Sequence, residues 1–261
     1  MPNSGRIAHC MDCGTQLRGR QYCGQCGQRN VHRRLVWQAI TNDLKTQLLE
    51  WDLPWFYTIK ELTLRPGKVI REYIDGHRAK YVNPMKYVVY VIAIGSVIVA
   101  LLPDNLLMHT LDYMADEPQN PLAKGLVSNP AIILMLASPL AVLFLRVAFW
   151  NSPLNRTEMY CFVFYVIGHA ALIVYLILIL AAITYAVFPV EVPLNFSTFP
   201  TNTLVMDVAT QSMAYGLPLY AAYASVGVFG VRTIWSVIAT FLVAFLFTIF
   251  SLGLFAAIAS L

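Results

Sequence analysis

From Met85 to the C-terminus the chain is a succession of apolar runs, each about 20 residues long, which is enough helix to cross a hydrocarbon core about 30 Å thick. Backbone amides inside lipid must find partners within the protein, so runs of this length are read as helices. Spans are expected near residues 85–102, 130–150, 160–188, 205–229 and 233–259. The fourth is the most polar, with Asp207, Gln211 and Pro218, so its first turn is expected in the interface or facing the bundle interior. The fold class is therefore an all-α integral membrane protein of about five transmembrane helices. Hydrophobic residues make up 58% of the 261, and charged residues 12%, which excludes an ordinary pair of soluble domains.

Charge placement gives the orientation. Of the 18 Lys and Arg residues, 13 precede Val82, and the short loops that hold Arg146, Arg156 and Arg232 fall on the same side if five helices cross. The opposite side keeps only Lys124, with Asp104, Asp112, Asp116, Glu117 and Glu191 in its loops. The positive-inside rule then puts the N-terminus in the cytoplasm and the C-terminus outside, in a multi-pass protein of the cytoplasmic (inner) membrane. No apolar signal segment opens the chain, which agrees with a cytoplasmic N-terminus.

Residues 1–30 form a different unit. Cys10-x-x-Cys13-Gly14 is followed, after eight residues, by Cys23-x-x-Cys26-Gly27. Two such knuckles, a zinc-ribbon-like pattern, supply four thiolates to one tetrahedral Zn²⁺, and the glycines relieve the tight turns. Four thiolates leave no open position for water, so the zinc is structural and no catalytic residue is assigned there. Metal binding would also supply folding free energy to a segment with almost no apolar core. Iron in a rubredoxin-like site and paired thiol redox chemistry are the alternatives. His9 is not needed for ligation, and Cys161, alone in an apolar helix, reads as a small buried residue.

Residues 31–83 make a basic cytoplasmic or interfacial segment. Val36, Ile40, Leu44 and Leu48 recur every fourth position and predict an amphipathic helix from Val36 to Trp51. The aromatic cluster Trp51, Trp55, Phe56 and Tyr57 suits a headgroup interface. A second short helix is predicted from Pro66 to Asp75, with Pro in its first turn and Gly76 just past its end. Two interfacial helices are the preferred reading of residues 35–76; their alternative is a small cytosolic subdomain whose apolar stripes pack on each other. Residues 84–261 form the helical bundle.

The stretch Cys10-Met-Asp-Cys13-Gly14, with Tyr22-Cys23-Gly-Gln-Cys26-Gly27-Gln28 after it, resembles the N-terminus of the bacterial membrane family catalogued as domain of unknown function 3667. The likeness continues through Arg65-Pro66-Gly67, Tyr73, Gly76, Arg78, Tyr81 and Pro84 and covers about the first third of the chain. The resemblance implies the architecture and contributes no activity.

Two further groups invite a functional reading. Arg65, Lys68, Arg71, Arg78 and Lys80, with Lys86, crowd the flank of the first span, where anionic headgroups attract each basic residue by about 1 kcal/mol. They are either topology signals or a lipid- or anion-binding rim. Within the spans, His169 and Asp207 are the candidate functional polar residues, since ionisable groups at membrane depth are costly. A histidine that hydrogen-bonds a neighbouring helix is the plainer alternative.

No phosphate-binding loop, dinucleotide glycine pattern, His-Glu-x-x-His or serine elbow is present, which weighs against catalysis. The favoured function is a binding, regulatory or scaffold role at the cytoplasmic membrane face, with the zinc module docking a cytosolic protein or its own membrane domain. The alternative is a transporter or lipid-handling protein for an anionic substrate; with five spans it would work as a homo-oligomer. Nucleic acid is a weak candidate partner despite Arg18, Arg20, Arg29, Arg33 and Arg34, because exposed aromatics beyond Tyr22 are few.

Overall fold

Proline, glycine and asparagine set most of the helix boundaries. The computed structural model describes residues 9–20, 22–28, 35, 37, 38, 40, 41, 54–101, 130–187, 215–229 and 233–259. Helix α1 (Pro54–Leu64) starts on a proline, whose missing N–H costs nothing in a first turn. Helix α2 (Pro66–Asp75) does the same and ends on Gly76 at φ 111°. There the Gly76 N–H reaches Tyr73 O at 3.3 Å and His77 N–H reaches Glu72 O at 2.9 Å, a paired closure that needs a left-handed residue.

Asn83 caps α3 (Pro84–Leu101): its Oδ1 accepts the Met85 and Lys86 amides at 2.9 and 3.3 Å. Asn155 and Glu158 open the long α6 (Arg156–Val187) as a reciprocal capping box. Asn155 Oδ1 accepts the Glu158 amide at 2.8 Å, and Glu158 Oε2 accepts the Asn155 amide at 2.7 Å.

Between them lie α4 (Pro130–Leu136) and α5 (Ser138–Ala148). The predicted span over 130–150 is thus interrupted at Ala137. Pro139 has no N–H to give the ladder, and the Leu140 amide instead bonds Ala137 O at 2.9 Å, a tightened turn. Helices α7 (Leu217–Ala224) and α8 (Thr233–Ala259) complete the order. Of the predicted span over 205–229, only residues 215–229 are described, and Asp207 lies outside them. Of the predicted helix over 36–51, only residues 37, 38, 40 and 41 are described, all helical.

Among the described residues three helices are long and apolar enough to cross a membrane, Pro84–Leu101, Arg156–Leu180 and Ile234–Ser251. They coincide with the first, third and fifth predicted spans. All three begin at one end of the bundle. Tyr87 meets Tyr165 with ring centroids 6.0 Å apart, and eight residues on Gly95 abuts the Tyr175 ring, so α3 and α6 run parallel. Phe229, just before α8, stacks on Phe149 at 4.2 Å and meets Phe162 at 5.0 Å. Ser236, in the first turn of α8, donates to Ser225 O at 3.2 Å.

One continuous core unites these helices with α1 and α2. Leu62, Val69, Ile70 and Tyr73 are buried in the same cluster as Tyr87, Val88, Tyr165 and Phe229. The outward faces stay apolar: Val97, Leu101, Leu176, Leu180, Leu242 and Leu246 are exposed. In water such a surface would aggregate, whereas against lipid it is at home.

Candidate metal centre and the buried histidine cluster

Each cysteine pair sits on the same tight turn. In the first, the Gly14 amide donates to Cys10 O at 3.0 Å and the Cys10 amide donates to Thr15 O at 2.8 Å; in the second, Gly27 donates to Cys23 O at 3.1 Å and Cys23 donates to Gln28 O at 2.8 Å. Gly14 and Gly27 both take φ 73°, a left-handed backbone that a side chain would strain. Turned this way, the two knuckles face one another, and the four sulfurs all lie within 4.8 Å. Cys10 and Cys26 are 3.5 Å apart and Cys13 and Cys23 3.4 Å apart.

Four sulfurs at about 2.3 Å from a tetrahedral Zn²⁺ are about 3.8 Å from each other, so the donor set fits the ion. It is far too open for disulfides, whose S–S bond is about 2.05 Å. Thr15 beside the exposed Cys13 lowers that thiol to about 6, while burial pushes Cys26 up to about 12. Crowded thiols give up their protons unevenly; a divalent cation between them would hold all four as thiolates. Cys10, Leu17 and Cys23, with Cys26 against them, are the only apolar core cluster the module has among the described residues, too little to order it without a metal.

The module is seated on the membrane domain. Gln28, next to the second knuckle, is 7% exposed. Its Nε2 donates to Gly76 O, and its Oε1 accepts the amides of Arg78 at 3.2 Å and Ala79 at 3.0 Å. Met11 packs beside Gly76, and Asp12 lies 3.4 Å from His77 Nδ1. Both Met11 and Asp12 come from the turn between Cys10 and Cys13.

The basic rim is largely neutralised within itself. Glu72 holds Lys80 at 2.7 Å and Lys68 at 3.8 Å and accepts the Tyr81 hydroxyl at 2.7 Å. Burial pushes the Glu72 carboxyl up, but Lys80, Tyr81 and Lys68 together outweigh this and hold it below its ordinary value. Arg71 pairs with Asp75 at 3.1 Å and donates to Val228 O at 3.3 Å. Arg78 turns inward over the Tyr73 ring and donates from Nε to Tyr73 O, while its buried Nη2 has no hydrogen-bond partner among the described residues. Arg65, at the cap of α2, is exposed and has no ion pair among the described residues.

His169 is 1% exposed and belongs to a polar cluster built from four helices. With the Thr63 hydroxyl of α1 donating to Ile59 O at 2.9 Å, its oxygen accepts from His169 Nε2 at 3.1 Å. That leaves Nδ1 as the acceptor for the Tyr87 hydroxyl at 2.8 Å. The ring is stacked on Tyr220 of α7, with centroids 5.1 Å apart, and the Tyr220 hydroxyl donates to Leu62 O at 3.0 Å. Both nitrogens of a neutral imidazole are thus satisfied, and the cluster ties α1, α3, α6 and α7 together. Gln28, Glu72, Thr63 and Tyr220 were missed by sequence reasoning. Only Gln28 had left a signal there, as the residue that closes the second cysteine motif.

Among family models, one described as "Protein of unknown function (DUF3667)" matches residues 55–95. The matched stretch runs from α1 through α2 and the 76–83 loop into α3, and so holds both the seat of the cysteine module and two partners of His169, Thr63 and Tyr87. Neither a curated protein nor a solved structure matches the chain.

Proposed function

We propose that this membrane protein serves as a binding, regulatory or scaffold element, with a structural Zn²⁺ module (residues 1–30) seated on the loop that follows α2, beside the cytoplasmic end of its helical bundle (residues 84–261). The carrying observation is the Gln28 clasp on Gly76, Arg78 and Ala79. A closed four-thiolate site does no chemistry on a substrate; its product is a shaped surface, and here part of that surface is spent on the chain's own membrane domain.

The reading includes five crossings. Three helices that all start at one end need two returns between them. The first return falls to α4 and α5, whose 19 residues from Pro130 to Ala148 amount to about 28 Å of helix. The second falls to the stretch that ends in α7. The shared end carries Arg65, Lys68, Arg71, Arg78, Lys80, Lys86, Arg146 and Arg156, which favours the cytoplasm. Helix α1 is the interfacial element, with Trp55 and Leu62 inward and Phe56, Tyr57, Lys60 and Leu64 on its outer face. Helix α2 instead buries its apolar face in the bundle.

Collection of an anionic lipid or substrate by the rim is the second reading. Its support is Arg65, since Lys68, Arg71 and Lys80 already have carboxylate partners. His169 and Asp207 would serve a path only under this reading.

The test compares the full chain with a variant lacking residues 1–30, both purified in mild detergent. One zinc per full chain, and a clear fall in melting temperature on deletion, is the expected result. Absence of metal, or identical melting of the two forms, would overturn the seated-module reading. Retention of an anionic lipid that is lost in Arg65→Ala would favour the second.

A further inference from the structure

The residue that holds the module to the membrane domain is also part of the metal knuckle. The Gln28 carbonyl closes the second turn by accepting the Cys23 amide at 2.8 Å, and the Gln28 side chain, 7% exposed, makes all the module's hydrogen bonds to residues 76–79 that are seen among the described residues. Its backbone and side chain therefore depend on each other. If the knuckle opens, the Gln28 amide leaves the position from which it spans Gly76 O and the Arg78 and Ala79 amides. If the seat is removed, a buried amide loses three partners, and the folded knuckle loses their contribution.

We propose that metal binding and module seating are thermodynamically linked through Gln28, so that loss of the ion uncovers the surface formed by Gly76, His77, Arg78 and Ala79. The proposal rests on the seated-module reading and adds its regulation. The bistable element is the module itself, which has too small an apolar cluster to stay ordered as bare thiols and is ordered when four thiolates share a cation. Linkage is reciprocal: whatever the ion contributes to seating, seating contributes to ion affinity. The first knuckle takes part as well, since Met11 and Asp12 lie on Gly76 and His77.

The surface exposed on release is a polar one. It contains the Arg78 and Ala79 amides and the Gly76 carbonyl, and it adjoins the ion pair of Lys80 with Glu72. Donors and an acceptor that Gln28 satisfies in the seated state would then be open to water.

The experiment uses the full chain in detergent with Zn²⁺ as the probe. Zinc affinity is measured by competition with a chromophoric chelator for the native protein, Gln28→Ala and His77→Ala. Hydrogen exchange of residues 76–82 is followed by mass spectrometry before and after chelation. His77→Ala matters because it leaves residues 9–28 unchanged and removes only a contact on the side of the seat, that with Asp12. The expected result is zinc affinity lowered about tenfold in Gln28→Ala and several-fold in His77→Ala, the ordinary range of coupling between sites. Chelation should speed exchange at Arg78 and Ala79 and leave the interior of α6 unchanged. Equal zinc affinity in all three proteins, with exchange at 76–82 indifferent to chelation, would overturn the linkage while leaving a structural zinc site intact. A native chain that binds no zinc would overturn both the linkage and the reading beneath it.

Discussion

At Gly67 the backbone of α2 comes against the turn that follows α7. A Cβ there would overlap the carbonyl oxygen of Val226 and lie 3.0 Å from that of Ala224, and neither atom is the end of a flexible side chain that could swing away. Gly67→Ala is therefore expected to push α2 off the bundle and to destabilise the protein by about 1–3 kcal/mol, the usual cost of overpacking. A thermal melt in detergent checks this, with Gly24→Ala as a reference, because there the added methyl meets the far end of the long Arg20 side chain, at 3.3 Å, and no backbone atom. Equal melting of the two variants would mean that α2 is not held at that distance. The same logic of close fit applies to His169, whose two ring nitrogens lie 3.1 Å from the Thr63 oxygen and 2.8 Å from the Tyr87 hydroxyl. A membrane histidine with both nitrogens occupied reads as a helix tie. For the transport role weighed from sequence, the tie with Tyr87 and Thr63 would have to break.

At the scale of elements, Glu72 joins α2 to the loop that receives the cysteine module, through Lys80 and Tyr81. Its carboxyl is held below the ordinary value of 4.5, so its ion pair contributes stability that is fully present above that value and is lost as pH falls through the lower folded value. The raised ammonium of Lys80, where Glu72 outweighs burial, is the other face of the same pair, lost only as the solution becomes strongly alkaline. Glu72→Gln is expected to lower the melting temperature at neutral pH, with the gap to the native protein closing in acid. A gap that stays constant below pH 4.5 would assign the effect to packing and not to charge. Helix α2 was legible residue by residue because Pro66 and Gly76 are local signals, and the cysteine knuckles were legible because their spacing is the chemistry. Helix α1 was not, since Trp55, Phe56 and Tyr57 read as an interfacial cluster without helical periodicity, and the clasp was not, since a lone Gln28 carries no sign of a partner 48 to 51 positions away. The interruption at Ala137 had a visible cause in Pro139, but an apolar run with a proline in it reads equally well as one bent span.

On the scale of the whole molecule, the parallel alignment of α3, α6 and α8 restricts the topology more than hydropathy does. Merging or splitting one apolar run moves the C-terminus across the membrane, so counting spans in the sequence leaves the question open. Parallel neighbours narrow it: Tyr87 beside Tyr165, Gly95 beside Tyr175, and Phe229 between Phe149 and Phe162 place three helix starts at the same end. Helix α8 then carries the chain away from the basic end, towards the side opposite the cysteine module. A reporter fused after Leu261 that is active only outside the cytoplasmic membrane should be active, and one that fluoresces only when folded inside should be dark. The opposite pair of results would leave two cases: a cysteine module outside with α8 still parallel, or an even number of crossings with α8 antiparallel to α3 and α6, against the contact of Ser236 with Ser225 at its first turn. A maleimide too large to cross the bilayer, applied with a chelator, separates those cases, since it should reach Cys13, the exposed one of the four, only after the membrane has been opened.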